Sequence, residues 1–373
     1  MRSHDDSGRR PDAFDAASPG GTGLTPLRVG LIGYGLAGSA FHAPLVEAVP
    51  GLALASVVTS NPERGADARS AHPDAEVITS ADELFNAAHA HDLVVVAAPN
   101  RHHVPLALRA VEAGLHVVVD KPLAGSAGEG RRLADAVAAR GVVASVFHNR
   151  RWDGDFLTLR RLVSEGALGE LLRLESRFER WRPEVDTGKW REGGGPEDAG
   201  GVLFDLGPHV IDQALELMGP ARSVYAEVRA LRPGARVDDD FFVALEHDSG
   251  ASSQLWGTMM AAHQGPRLRA LGTEAAYVKH GLDVQEEALR SGASPRDPGF
   301  GDEPPSDWGL LGAEGTAEPV ATETGRYVEF YERMERAIRA AAEPPVPLSA
   351  GIETLRVIEA ARRSSAERSV IPV

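Results

Sequence analysis

The sequence contains no cysteine. That rules out disulfides, thiolate metal sites and cysteine nucleophiles together, and a reducing cytoplasm is the simplest compartment for such a chain. Positive charge is also scarce: 39 Lys and Arg stand against 54 Asp and Glu, a formal net charge of −15. That balance argues against a nucleic-acid partner and against an anionic membrane surface, because both repel it. The opening stretch MRSHDDSGRRPDAFDAASPGGTGLTP lacks the apolar length that a signal peptide or a membrane span needs. It is rich in Gly, Pro, Ser, Asp and Arg and has no periodicity, so residues 1–26 are expected to form a disordered tail. What is present is a chain of 373 residues, 43% hydrophobic and 25% charged, long enough for more than one domain with a sizeable core.

From Leu27 the pattern changes. LRVGLIG, LALASVVTS, EVITS, DLVVVAAP, LHVVVD and VVASVFH are short apolar runs separated by helix-like stretches such as FHAPLVEAV. Buried strands alternating with helices predict βαβ units, a parallel sheet and an α/β first domain over residues 27–149. Beyond it, WDGDFLTLRRLVSEGALG reads as a helix ending at Gly169, and ELLRLESRFERW as a long strand. RSVYAEVRAL, DDFFVALEHD and ASSQLWGTMMA are strands in series, with DSG as a hairpin turn. They predict an α+β second domain over residues 150–373 with a mainly antiparallel sheet. Its two closing amphipathic helices are expected to pack back on the first domain. Ser291–Trp308 reads as one long loop, either a lid or an oligomer arm.

GYGLAG places Gly33, Gly35 and Gly38 directly after the first strand, with Tyr34, Leu36 and Ala37 between and beside them. The spacing suits a dinucleotide. One glycine makes the tight turn, the second admits a pyrophosphate, and the third lets the helix close on the strand. The second strand ends in Thr59, Ser60 and Arg64, with no acid at its tip to take a ribose 2′-hydroxyl. Small donors beside an arginine favour a 2′-phosphate, hence NADP over NAD. The alternative is that Ser60-Asn61-Pro62 only caps a helix and Arg64 is a solvated charge.

Pro99 and Asn100 fall at the carboxyl end of the next strand, and Asp120 and Lys121 at the end of the one after, the edge where open α/β sheets bind ligands. In FDLGPHVID, Pro208 forces a helix to start near Asp205, and His209 lies four residues on, with Asp212 beyond. If Asp205 is inside the helix, it shares a face with His209 and can orient the imidazole and raise its pKa. The bland alternative is a cap and a core histidine. GGGPEDAGG just upstream suggests backbone passing close to something bulky. Arg151, Trp152 and Asp153 follow the last strand of the first domain and are expected to face the cleft as substrate contacts, with Trp152 packed on a substrate ring or, equally, anchoring the domain junction. Lys279 and Asp283 are weaker candidates. The histidines make no convincing metal set.

Together these residues resemble the Gfo/Idh/MocA oxidoreductase family from Arg28 to the C-terminus. Asp120-Lys121-Pro122 matches its E-K-P motif, with aspartate for the usual glutamate. Asp205 and His209 match D-x-x-x-H, and Pro99, Asn100 and His103 match P-N-x-x-H near the nicotinamide. GYGLAGSAFHAPL, NRRWDGDFLTL, RWRPEV…KWRE and VKHGLDVQEEAL are similar to the bacterial NADP-dependent scyllo-inositol dehydrogenase branch. The resemblance implies a Rossmann domain followed by a domain with a large open sheet. It also implies hydride transfer between nicotinamide and a ring hydroxyl of a small polyol or sugar. It implies that Lys121, Asp205 and His209 are catalytic and also contact substrate, with Asp120 and Lys121 beside the cofactor. A homodimer or homotetramer is implied as well. The rivals are an NADP-dependent aldose or ketose reductase and a non-catalytic NADP sensor on the same fold.

Overall fold

A computed structural model describes residues 25–186, 188, 190–193 and 199–373. Most of the expected tail, and the centre of the glycine-rich stretch before Ala199, lie outside the described residues. The valine-rich runs become six parallel strands. These are β1 (Leu27–Ile32), β2 (Leu52–Val58), β3 (Glu76–Ile78), β4 (Leu93–Val96), β5 (His116–Asp120) and β6 (Ala144–Phe147), in the order β3-β2-β1-β4-β5-β6. Val94, Val95, Val96, Val117, Val118 and Val119 are fully buried, as strands covered by helices on both faces must be. The strand order reverses between β1 and β4, which opens a crevice above their carboxyl ends.

The second sheet has nine strands: β7 (Leu171–Glu179), β8 (Ala221–Arg229), β9 (Asp240–His247), β10 (Ser252–Thr258), β11 (Leu268–Gly272), β12 (Ala276–Lys279), β13 (Gly309–Gly312), β14 (Glu318–Val320) and β15 (Ile371–Pro372). All its pairings are antiparallel except that of β7 with β10. The domain is therefore α/β with a mainly antiparallel, mixed sheet. In β9 and β10 alternate residues are buried. Val243 and Leu245 are buried on the same face as Leu255, Val224 and Ala226, the face on which β10 meets the helix Gly207–Met218 and β8 meets the helix Leu348–Glu367. The opposite face carries Trp256, with the Phe242 ring 5.2 Å away and the Arg177 guanidinium 4.0 Å above it.

Two local expectations change. The helix after β6 spans Gly154–Ser164 and stops short of Gly169. Gly166 and Gly169 both take positive φ, 72° and 69°, so the chain turns twice there instead of extending the helix. The Ser291–Trp308 stretch is pinned across the first domain. Arg296 donates to the Ala48 and Glu47 carbonyls at 2.9 and 2.6 Å, and Glu303 takes the buried ammonium of Lys279 at 3.0 Å. It works as a strap between domains. The two closing helices, Val328–Ala340 and Leu348–Glu367, pack on the first domain through the helices Ala43–Ala48 and Ala127–Arg140. No helix among the described residues is long and apolar enough to cross a membrane.

Candidate active site

The glycine array forms a cradle at the end of β1. Gly33 has φ 102°, and a β-carbon there would lie 2.5 Å from the Ala97 carbonyl oxygen. A β-carbon on Gly38 would lie 2.0 Å from the Gly33 carbonyl oxygen, so both positions exclude any side chain. Gly35 is different: only the Arg64 guanidinium comes within 4 Å of the space its side chain would fill, at 3.7 Å. This fits the three roles of a dinucleotide loop, with two glycines for packing and one for ligand approach. Leu36 is exposed beside it, and Ala37 starts the following helix. Tyr34 turns inward. Its hydroxyl lies 2.9 Å from His72 Nε2, so it braces the loop and offers no side chain to a ligand.

At the second strand's tip Asn61 caps the helix Pro62–Ala71 by accepting from the Arg64 N–H at 3.0 Å, and the Thr59 hydroxyl accepts weakly from Asn61. Ser60 and Arg64 are exposed. The cap is real, yet the Arg64 side chain folds back over the glycine loop.

The next edge of the crevice is built by staples. Pro99 turns the chain out of β4. Asn100 is buried and donates to the Ala199 carbonyl at 3.0 Å. The His103 ring nitrogens lie 2.7 Å from the Pro122 carbonyl and 2.8 Å from that of Ala98. Both side chains thus tie loops together and shape the wall. Asp120 is buried and accepts the Lys121 N–H at 2.8 Å, with His42 Nε2 3.8 Å away. Burial alone would raise its carboxyl, but His42, Lys121 and His103 outweigh that and hold it at about 2. It therefore positions Lys121 from behind.

Lys121 reaches from the first domain into the second. Its ammonium donates to the Asp205 carbonyl at 2.6 Å and to Asp205 Oδ1 at 3.0 Å. Asp205 ends a short helical turn, Val202–Asp205, and Leu206 separates it from the helix Gly207–Met218, with Pro208 in the first turn. The turn is held by Asp238, which accepts from Leu203 N–H at 2.7 Å. Gly201, at φ 92°, is needed because a β-carbon would meet the Asp238 carboxylate at 2.4 Å. At this glycine the bulky neighbour is a capping aspartate.

His209 sits in the first turn of the long helix, buried, with Nδ1 free of any hydrogen bond. Its pKa lies well below 6.5, first because of burial and then because of the charges of Lys121, Arg150, His148 and Arg267. The expectation that Asp205 orients His209 and raises its pKa is corrected. The helix breaks at Leu206, and the Asp205 carboxylate is taken by Lys121, whose charge acts on the imidazole in the opposite sense.

Two other expectations also change, those for Arg151 and Asp153, and Trp152 takes the second of its two alternatives. Arg151 is spent on Asp212, at 2.8 and 2.7 Å, and on Glu216 at 2.7 Å. Trp152 is buried edge-on against Phe330 at 5.8 Å, anchoring the domain junction. Asp153 is fully buried and accepts from the Tyr327 hydroxyl at 2.6 Å and from Arg150 at 3.3 Å. The reason is the tight turn Asn149–Trp152 after β6, which sends these side chains inward. Lys279 and Asp283 are likewise structural. Asp283, raised to about 6 chiefly by burial, receives the Gly154 and Gln285 N–H groups.

Sequence reasoning missed the ring beneath His209. Phe178, fully buried at the end of β7, lies 6.1 Å from the imidazole. The guanidinium groups of Arg150, Arg180 and Arg267 lie 4.7, 5.0 and 5.6 Å from its centroid. The signal was the run RFERW, in which Phe178 sits between two arginines at the end of a strand. His148, after β6, was also missed. It is buried, neither ring nitrogen makes a hydrogen bond, Asp212 Oδ1 lies 3.9 Å from Nε2, and burial lowers its pKa. No group of three or more His, Asp or Glu among the described residues could hold a metal ion.

A parallel sheet with a glycine cradle at its switch point and a lysine closing the crevice from the adjoining strand defines a Rossmann-type dinucleotide-binding protein. Residues 27–148 match the oxidoreductase family's NAD-binding Rossmann fold, and residues 160–373 match its C-terminal alpha/beta domain, so the chain belongs to the Gfo/Idh/MocA oxidoreductase family. It is 38% identical to scyllo-inositol 2-dehydrogenase (NADP(+)) IolW of Bacillus subtilis, over 92% of this chain and 95% of that protein. It is 40% identical to the uncharacterized oxidoreductase YdgJ of Escherichia coli, over 92% and 98%. The solved structure of yvaA from Bacillus subtilis superposes with a TM-score of 0.87 at 37% identity, covering 93% of this chain and 98% of that one.

Proposed function

We propose that the protein is an NADP-dependent dehydrogenase of a cyclic polyol, with scyllo-inositol and its ketone as the substrate pair. The observation that carries this is the meeting of Lys121 from one domain with Asp205 and His209 from the other, at the crevice of the dinucleotide fold. The likeness to IolW supports the polyol and the cofactor. The bound nicotinamide supplies the hydride chemistry. The protein's own groups manage the substrate proton. His209, held neutral by its surroundings, takes the hydroxyl proton during oxidation. Lys121 donates a hydrogen bond to the same oxygen, and Asp205 fixes the ammonium in place. We place the working protein in the cytoplasm as a homo-oligomer.

The test is nicotinamide reduction with a panel of inositols, aldoses and ketoses. Turnover of scyllo-inositol with NADP is expected. Tight nucleotide binding without turnover of any member would favour a sensor, and turnover confined to aldoses or ketoses would move the substrate to those sugars.

The cofactor preference rests on Arg64, whose guanidinium overhangs the glycine loop. A charged hydrogen bond to a 2′-phosphate is worth enough that Arg64→Ala should weaken NADPH binding by about 10-fold or more while leaving NADH affinity unchanged. Dissociation constants for both nucleotides check this. Loss of NADH affinity with NADPH unaffected would reverse the preference.

A further inference from the structure

Three guanidinium groups surround the Phe178 ring, and two of them are occupied. Arg150 is held by Asp153, Glu286 and Tyr327. Arg267 donates to Ser176 Oγ at 2.5 Å and to Gln213 Oε1 at 2.8 Å, with Asp155 at 3.8 Å. The third, Arg180, has no side-chain hydrogen bond or ion pair to any described residue, although its guanidinium lies 5.0 Å from the ring that His209 also adjoins. Its backbone is fixed. The N–H donates to the Thr258 carbonyl at 2.9 Å, and the carbonyl accepts from the Ala261 N–H at 3.0 Å, so the side chain projects from a rigid strand end. Burial lowers its pKa, so the cation has lost much of its water while, among the described residues, gaining the Phe178 ring but no hydrogen-bonding or ionic side-chain partner. A guanidinium left that way beside a catalytic histidine is incomplete without a ligand.

We propose that Arg180 is a substrate-binding residue whose planar fork takes two adjacent hydroxyl oxygens of the polyol ring from the second-domain side of the crevice. The assignment rests on the reading of Lys121 and His209 as the reacting site. Five N–H donors in a fixed plane match a pair of neighbouring oxygens. The field at Arg180 includes the carboxylates of Asp205 and Glu286 as well as the cations Arg182 and Arg150, so charges of both signs already face it and a neutral hydroxyl pair adds none.

The test compares a fully hydroxylated ring ketone, scyllo-inosose, with a ring ketone lacking the adjacent hydroxyl pair. Arg180→Ala should raise KM for the first by roughly 10- to 100-fold, as expected for charge-assisted hydrogen bonds, while kcat and NADPH affinity stay within about threefold. For the deoxy ketone the same substitution should change KM by less than about threefold, since there is no hydroxyl pair to lose. Arg180→Lys should recover only part of the loss, because an ammonium lacks the fork. Equal effects on both ketones, or a parallel fall in NADPH affinity, would show a structural role and overturn the assignment. Wild-type enzyme that turns over neither ketone removes the substrate reading and this assignment with it. Wild-type turnover with KM unchanged in Arg180→Ala removes the assignment alone.

Discussion

Lys121→Ala should lower kcat for the polyol by about 10²–10⁴-fold, the range for a positioned acid–base group, while the dissociation constant for NADPH changes little. The separation follows from where the ammonium points. Lys121 Nζ reaches across the crevice to Asp205, and the groups that would hold the nucleotide phosphates lie on the glycine loop after β1. Its backbone is held independently by Asp120, which accepts the Lys121 N–H, so removing the side chain leaves that anchor intact. Lys121→Arg should recover little, because a guanidinium is larger and cannot occupy the same point between the Asp205 carbonyl and carboxylate. Asp205→Asn is a companion. It removes the charge that fixes the ammonium, and its effect should fall on kcat and be nearly absent in the Lys121→Ala background, since the two groups act as a unit. Steady-state kinetics with fluorescence titration of NADPH checks all three. A normal kcat in Lys121→Ala would take this residue out of the mechanism.

The first domain was legible because its signals are local. Gly33, Gly35 and Gly38 announce themselves by spacing, and the valine runs before Pro99 and Asp120 can only be strands covered on both faces. The same logic found Lys121, since a strand end in such a sheet points to one edge. The second domain was less legible, for physical reasons. The parallel pairing of β7 with β10 joins segments far apart in the chain, and nothing in either strand encodes the partner. The short strands β11–β14 are interrupted by glycine and charge and stand out only once β7 is in place. Asp205 shows the limit most clearly. Its spacing from His209 was right for one helical face, yet a break at Leu206 and a lysine from another domain decide where its carboxylate goes. Arg180 escaped notice for a related reason. Arginines at a strand end read as solvated charge, and only the packing of Arg150 and Arg267 on Phe178 shows which one has no hydrogen-bonding or ionic side-chain partner among the described residues.

His209→Gln should cost a similar factor in kcat, about 10²–10⁴-fold, and should also change the pH profile. The imidazole is buried among cations, so burial first and then Lys121, Arg150, His148 and Arg267 push its pKa well below 6.5. A general base must be unprotonated. The wild-type acid limb of kcat/KM for polyol oxidation should therefore fall only at pH below 6.5, and His209→Gln should lack that limb in its residual activity. Lys121→Met gives a signed check. Removing a neighbouring cation makes the imidazolium less unfavourable, so the limb of its residual rate should move upward, toward 6.5. Stability carries the same sign. Below 6.5 the unfolded chain binds a proton that the folded histidine refuses, so this site's contribution is intact above 6.5 and is lost as the pH falls toward the folded pKa. His209→Gln should flatten part of that curve, leaving the share due to His91, His116, His148 and His247, which burial also depresses. An acid limb that persists unchanged in His209→Gln, with kcat near wild type, would assign the proton to another group.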